Sequence, residues 1–177
     1  VVPVVLKRGL IVDRNGVVLA NNYSAYTLEI TPSKVDDLEG TIDELATIVD
    51  IQMRDRRRFK RLREESKHFE STPIRTRLTD DEVARFTAQR YRFPGVEVQA
   101  RLFRHYPYGE TASHVLGYIG RINQKEKEDI EEWPDEEQAN YRGTDHIGKL
   151  GIEQSYEKDL HGITGFEEVE TSAGGRA

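Results

Sequence analysis

Asp13-Arg14-Asn15-Gly16 stands between two short apolar runs, Leu10-Ile11-Val12 and Val17-Val18-Leu19-Ala20. An Asn-Gly pair flanked by strand-forming residues is a strong local hairpin signal, because both residues tolerate positive φ at low cost. The chain is expected to reverse here and to pair the two runs as antiparallel strands. A third strand follows at Ala25-Tyr26-Thr27-Leu28-Glu29-Ile30. There Tyr26, Leu28 and Ile30 alternate with Thr27 and Glu29, a period of two that points the first set inward. Pro32 ends it.

Helices come next, with readable start signals. Thr41-Ile42-Asp43-Glu44 and Thr79-Asp80-Asp81-Glu82 both have the form of a capping box, in which hydroxyl and carboxylate satisfy free backbone amides reciprocally. Asn123 to Glu126 is a third cap, opening an acidic helix that Trp133-Pro134 stops. Ile42, Leu45, Ile48 and Val49 form one apolar face, and Val83 and Phe86 with Ala84 or Thr87 form another. Residues 52–69 read as a helix with a narrow stripe of Ile51, Phe59, Leu62 and Phe69. Thr72–Leu78 is a short strand candidate and Val96–Arg104 a long one, broken by Pro107. Ile152, Tyr156 and Leu160, spaced i, i+4, i+8, predict one helix over Gly151–Leu160, and Phe166–Thr171 closes as a strand.

Strands near both ends with helices between them indicate an α+β fold. The terminal strands and 96–104 are expected to share an extended sheet, with a helical lobe inserted. Charged residues make up 33% of the chain against 36% hydrophobic. That balance favours an elongated, two-lobed module over a single thick globule. The expected division is a sheet-rich anchor lobe over 1–31, 96–122 and 147–177, and a helix-rich head lobe over 32–95 and 123–146.

A net charge of −6 does not suggest a nucleic-acid binder, and the absence of cysteine excludes disulfides and thiolate metal sites. No run approaches the roughly 20 apolar residues that span a bilayer. Both ends read as cuts within a longer chain.

Few side chains suggest chemistry. Ser155-Tyr156-Glu157-Lys158 matches S-x-x-K, in which one helical turn carries a lysine amine to a nucleophilic serine. No S-x-N or K-T-G triplet completes such a site, and Ser155 reads more simply as a residue on a helix surface. Arg54, Arg56, Arg57, Arg58, Lys60, Arg61 and Arg63 place seven cations in ten residues. They could follow phosphates, but a solvated face paired with Asp55, Glu64 and Glu65 explains them better. The acidic run Glu126, Glu128, Asp129, Glu131, Glu132, Asp135, Glu136 and Glu137 lacks the spacing of a calcium loop. The five histidines show no metal spacing, and His114 reads as a structural hydrogen-bonding residue. No catalytic, cofactor or metal residue is assigned.

Three separated blocks carry a resemblance. They are Arg8-Gly9-Leu10-Ile11-Val12-Asp13-Arg14-Asn15-Gly16-Val17-Val18-Leu19-Ala20; Arg104-His105-Tyr106-Pro107-Tyr108-Gly109 with Ala112-Ser113-His114-Val115-Leu116-Gly117-Tyr118-Ile119; and Gly148-Lys149-Leu150-Gly151-Ile152-Glu153-Gln154-Ser155-Tyr156-Glu157 with Leu160-His161-Gly162-Ile163-Thr164-Gly165. In order and spacing they resemble the N-terminal periplasmic module of class B penicillin-binding proteins. Tyr91-Arg92-Phe93-Pro94-Gly95-Val96-Glu97-Val98 is most similar to the elongation-specific branch of Gram-negative bacteria. The resemblance is loosest from about Val35 to Ser71 and from Lys125 to Arg142.

The chemistry of these blocks is architectural. Gly109, Gly117, Gly148, Gly151, Gly162 and Gly165 suit turns or close backbone passages. Pro107 interrupts a strand, and Tyr106, Tyr118 and Tyr156 offer apolar faces with polar tips. Arg8, Asp13, Arg14 and Glu153 are candidates to tie the lobes together. The resemblance implies a non-catalytic pedestal for a peptidoglycan D,D-transpeptidase domain that would follow in the same protein. It implies attachment to the periplasmic face of the inner membrane through an N-terminal helix that this sequence does not contain. It also implies two partners, a RodA-like glycosyltransferase and an MreC-like scaffold. Val1, Val2, Val4, Val5 and Leu6 are the candidate contact with the membrane partner.

Overall fold

The computed structural model describes residues 2–4, 6–65 and 70–168. Its eight strands and eight α-helices among those residues make an α+β fold that divides into two compact units, Val1–Tyr23 with Arg104–Ala177, and Ser24–Phe103. The division falls within strands β3 (Val18–Ile30) and β5 (Val96–His105). Segment 123–146, expected in the head lobe, belongs instead to the unit that holds the termini.

In that terminal unit β2 (Ile11–Val12) pairs antiparallel with β3, Ile11 opposite Ala20 and Val12 opposite Val18. Only half of the expected Asn-Gly conformation forms. Gly16 takes φ +80°, whereas Asn15 stays at negative φ. The Asp13 carboxylate supplies the rest, accepting from the amides of Asn15 (2.8 Å) and Val17 (2.9 Å). This Asx-type bonding with a left-handed glycine at the end is the three-residue hairpin solution.

The expected single extended sheet is several. Among the described residues β1 (Val2–Val4) pairs only with β8 (Gly165–Glu167), Val2 opposite Glu167 and Val4 opposite Gly165. β3 already bonds to β2, β5 and β4 (Thr72–Arg75), so its two edges carry three partners and offer no place to the terminal strands. Of the last predicted strand, residues 169–171 lie outside the described residues.

The unit Ser24–Phe103 is built around α1 (Leu38–Leu45), α2 (Met53–Glu65) and α3 (Asp80–Ala88). The capping box on α3 forms as expected: Glu82 N–H donates to Thr79 Oγ1 (3.2 Å) and Thr79 N–H to Glu82 Oε1 (3.1 Å). On α1 the cap is Asp37, which accepts from Gly40 N–H at 3.1 Å, and Thr41 lies within the helix. The earlier carboxylate reaches the free amides first. Leu28, Ile30, Ile42, Leu45, Val49, Phe59, Ile74, Phe86, Phe93 and Val96 close into one apolar core. The predicted alternation of β3 is only half kept, since Thr27 and Glu29 are buried as well and Tyr26 is exposed. Glu29, 3% exposed, is tolerated inside because Arg101 donates to both its oxygens at 2.8 Å and Ser71 adds a third bond.

Candidate functional site

The terminal unit has a much smaller apolar core, Ile11, Ala20 and Leu116 with Leu19, Tyr106, Ile152 and Leu160 packed against it. Beside it lies a buried ionic cluster, and glycines make room for it. Gly117 (φ +74°) ends α4 (Ser113–Leu116), and β6 (Ile119–Arg121) then pairs with β7 (His146–Gly148). A methyl group on Gly117 would overlap the Leu150 carbonyl, one on Gly151 that of Val115, and one on Gly148 that of Glu153. Backbone lies against backbone at all three places, an approach open only to glycine. The passage carries α7 (Gly151–Ser155) inward with Glu153 at 0% exposure.

Glu153 is held from three sides. Arg8 Nε donates to Oε2 (3.1 Å), Arg104 Nη2 to Oε1 (2.6 Å), and the Tyr106 hydroxyl to Oε2 (3.3 Å). Arg8 Nη2 reaches both the Glu153 carbonyl (2.7 Å) and Glu157 Oε2 (2.6 Å). Glu157, buried in α8 (Glu157–His161), also accepts from Gly148 N–H (2.9 Å) and the Tyr141 hydroxyl (3.0 Å). Asn22 joins the arginines, accepting from Arg104 Nη1 (3.2 Å) and donating to the Arg8 carbonyl (2.6 Å). Two guanidinium groups thus balance two carboxylates, the condition under which charges survive burial. Arg104, its side chain 2% exposed, keeps Nε buried with no hydrogen-bond partner among the described residues.

The two tyrosines are fixed as donors. Burial, then the charge of Glu153, raises the Tyr106 phenol above its usual pKa. Burial, then Glu157, raises Tyr141 further. Tyr141 stacks on His161 at 4.3 Å and meets the edge of Trp133 at 5.2 Å. Every carboxylate oxygen of the cluster is occupied, so it positions backbone and offers neither a general base nor a metal ligand. Among the described residues no group of three His, Asp or Glu could hold a metal ion.

The sequence-predicted residues fall as follows. Arg8, Glu153 and Tyr106 meet in the cluster, Gly9 N–H donates to the Leu160 carbonyl (2.7 Å), and Asp13, Asn15 and Gly16 build the hairpin turn. Pro107 and Gly109 (φ +57°) lie in the turn after β5, Gly162 (φ +73°) ends α8 and Gly165 opens β8. Arg14, His114, Tyr118 and Tyr156 are exposed and take no part in the cluster. Arg8 and Glu153 therefore tie parts of one unit together, not two lobes. Arg104, Glu157, Asn22 and Tyr141 were not singled out as a network. The i, i+4 spacing of Glu153 and Glu157 was the available signal, because it places two acids on one helical face.

Ser155 is an exposed residue at a helix end, as its surface reading expects. The helix predicted over 151–160 breaks at Tyr156, Ser155 ends α7, and Lys158 donates from α8 to both oxygens of Glu137 at 3.0 Å. Glu137 belongs to α6 (Asp135–Asn140), so the amine is engaged by an acid and not by the serine. Of the candidate membrane-partner contacts, Val1 and Val5 lie outside the described residues. Val2 pairs through its backbone, and Val4 and Leu6 are exposed at 42% and 50%. On α2, Arg58 pairs with Asp55 (3.1 Å) and Arg56 with Asp43 (2.8 Å).

Residues 3–177 match the model of the penicillin-binding protein dimerisation domain, so the chain belongs to that family. It is 47% identical over 175 residues to peptidoglycan D,D-transpeptidase MrdA of Escherichia coli K12, covering 99% of this chain and 27% of that protein. It is 43% identical over 169 residues to MrdA of Haemophilus influenzae, covering 96% of this chain and 26% of that protein. The chain thus spans about a quarter of the length of the relatives it matches. The fold is that of a solved complex between penicillin-binding protein 2 (PBP2) and MreC from Helicobacter pylori, with a TM-score of 0.76 at 23% identity, over 98% of this chain and 32% of that one.

Proposed function

We propose that this chain is the non-catalytic pedestal of a penicillin-binding protein 2, a peptidoglycan D,D-transpeptidase of cell-wall elongation and rod-shape maintenance. The observation that carries the reading is the coincidence of the most recognisable sequence blocks with a buried ionic cluster whose carboxylate oxygens are all bonded. Those blocks spend their charged and glycine residues on holding backbone, not on a nucleophile and its base. The transpeptidase chemistry then belongs to a domain beyond these residues, which the pedestal supports in the same protein.

Two partners belong to this reading. An MreC-like scaffold is supported by the Helicobacter complex, which shares this fold. A RodA-like glycosyltransferase is the membrane partner, reached through the apolar segment that includes Val4 and Leu6. The module sits on the periplasmic face of the inner membrane, held by an N-terminal helix outside these residues. Among the described residues no helix is long and apolar enough to cross a membrane.

A chimera tests the reading. This chain replaces the corresponding module of E. coli MrdA in cells depleted of their own copy. Rod shape and wall crosslinking are expected to be retained, and to be lost on adding Arg8→Ala with Glu153→Ala. Round cells with a chimera that is stable and still labelled by fluorescent penicillin would overturn it. Labelling of the isolated chain itself would restore Ser155 as a nucleophile.

A further inference from the structure

Charge is unevenly distributed between the two units. The unit Ser24–Phe103 holds 15 basic and 15 acidic residues, while the terminal unit holds 11 basic against 17 acidic and so carries the whole net charge of −6. Within the neutral unit the cations concentrate on α2, where seven Lys and Arg stand against Asp55, Glu64 and Glu65. Phe59 and Asp55 are its buried residues. At 100° per residue Arg54, Arg57 and Arg61 fall within one narrow sector opposite Phe59, and all three are exposed. They span about 10 Å of helix, two turns. Among the described residues they make no ion pair, in contrast to Arg56 and Arg58.

We propose that this face of α2 binds the carboxylate-bearing peptide–glycan polymer of the cell wall, as a guide separate from the active site. The proposal rests on the pedestal reading and names what this surface of the pedestal meets. Guanidinium groups pair with carboxylates in bidentate geometry, and successive arginines at helical spacing suit a polymer that repeats its anions. Two competing anionic surfaces fit less well. A lipid surface calls for an apolar face beside the cations, but Phe59 is turned into the core and Met53 is the one strongly exposed large apolar side chain of α2. A single-stranded nucleic acid calls for stacking aromatics, and the only aromatic of α2 is the buried Phe59. The net-negative terminal unit offers such a polymer no comparable run of cations.

The test is sedimentation of the chain with purified insoluble peptidoglycan sacculi. Wild type is expected to pellet at about 20 mM salt and to be released by about 300 mM. Arg54→Glu, Arg57→Glu and Arg61→Glu together should weaken binding at least about tenfold at low salt. The corresponding triple Lys variant should keep most of it, and sacculi with amidated carboxylates should retain little protein. Unchanged circular dichroism confirms that the reversed variant is folded; should it not be, the triple Gln variant replaces it. Three results overturn the proposal: no pelleting of wild type at low salt, equal pelleting of the charge-reversed variant, or equal binding to amidated sacculi. Stronger binding through these arginines to phosphatidylglycerol vesicles or to single-stranded RNA also overturns it, in favour of the other surface. A functional chimera with no sacculus binding rejects the α2 guide alone. A non-functional chimera whose chain still binds sacculi rejects the pedestal reading alone.

Discussion

The two units solve the problem of an interior in opposite ways. Among the described residues the unit Ser24–Phe103 closes around a dozen buried apolar side chains, and its buried acids, Glu29, Asp55 and Glu82, are each held by hydrogen bonds. The terminal unit has, among the described residues, three buried apolar residues in its core and places Arg8, Arg104, Glu153 and Glu157 beside them. An apolar core tolerates repacking, since its attraction is non-directional. A buried ion-pair network tolerates little, because each charge depends on partners at fixed distances. Specificity of shape is thus concentrated in the terminal unit and bulk cohesion in the other.

The sharpest way to break the contrast is Glu153→Ala. It leaves Arg8 and Arg104 short of a buried partner and should cost about 3–5 kcal/mol in chemical denaturation. A loss under about 1 kcal/mol would mean the cluster behaves like a surface pair. Phe86→Ala, in the opposite unit, should cost about 3–4 kcal/mol through the cavity it leaves, with little dependence on salt. Hydrogen exchange should localise each loss to its own unit. Tyr141→Phe removes one bond to a charged acceptor and should cost about 1.5–3 kcal/mol.

Glu82 gives a pH test. Burial alone would raise its pKa, but the amides of Thr79 and Asp50, the Arg75 guanidinium and the Thr79 hydroxyl outweigh burial and lower it below the ordinary 4.5. A lowered folded pKa stabilises above the unfolded value and is lost as pH falls through the folded one. Glu82→Gln should therefore cost about 1 kcal/mol near neutrality, with the gap to wild type closing as pH drops below about 4.5. The smallest effect belongs to Lys158→Ala, within about 0.5 kcal/mol, because its pair with Glu137 is exposed.

Local signals were legible in the sequence where they act through neighbours. The Asp13–Gly16 reversal and the caps at Thr79 and Asn123 each bond within a few residues, and each forms. Thr41 failed as a cap because Asp37, four residues earlier, starts the helix a turn sooner and leaves the amide Thr41 would cap inside it. Glu29 read as outward because alternation cannot register a partner 72 residues away. The cluster is hidden for the same reason: Arg8 and Glu153 are 145 residues apart, and Arg104 and Glu153 are 49 apart. Sequence displayed the glycines and acids of the cluster but not which cations they meet. The break of 151–160 at Tyr156 was masked by an apolar spacing that runs through both short helices.

The pairing of β1 with β8 has a mechanical consequence. Val2 lies opposite Glu167 and Val4 opposite Gly165, so the outer ends of the ladder are neighbours. Tension pulling those ends apart loads the ladder like a zipper, one rung after another, and never shears all rungs together. Such a seam parts at low force, and the hairpin and the glycine-lined passage behind it bear load only after it has opened.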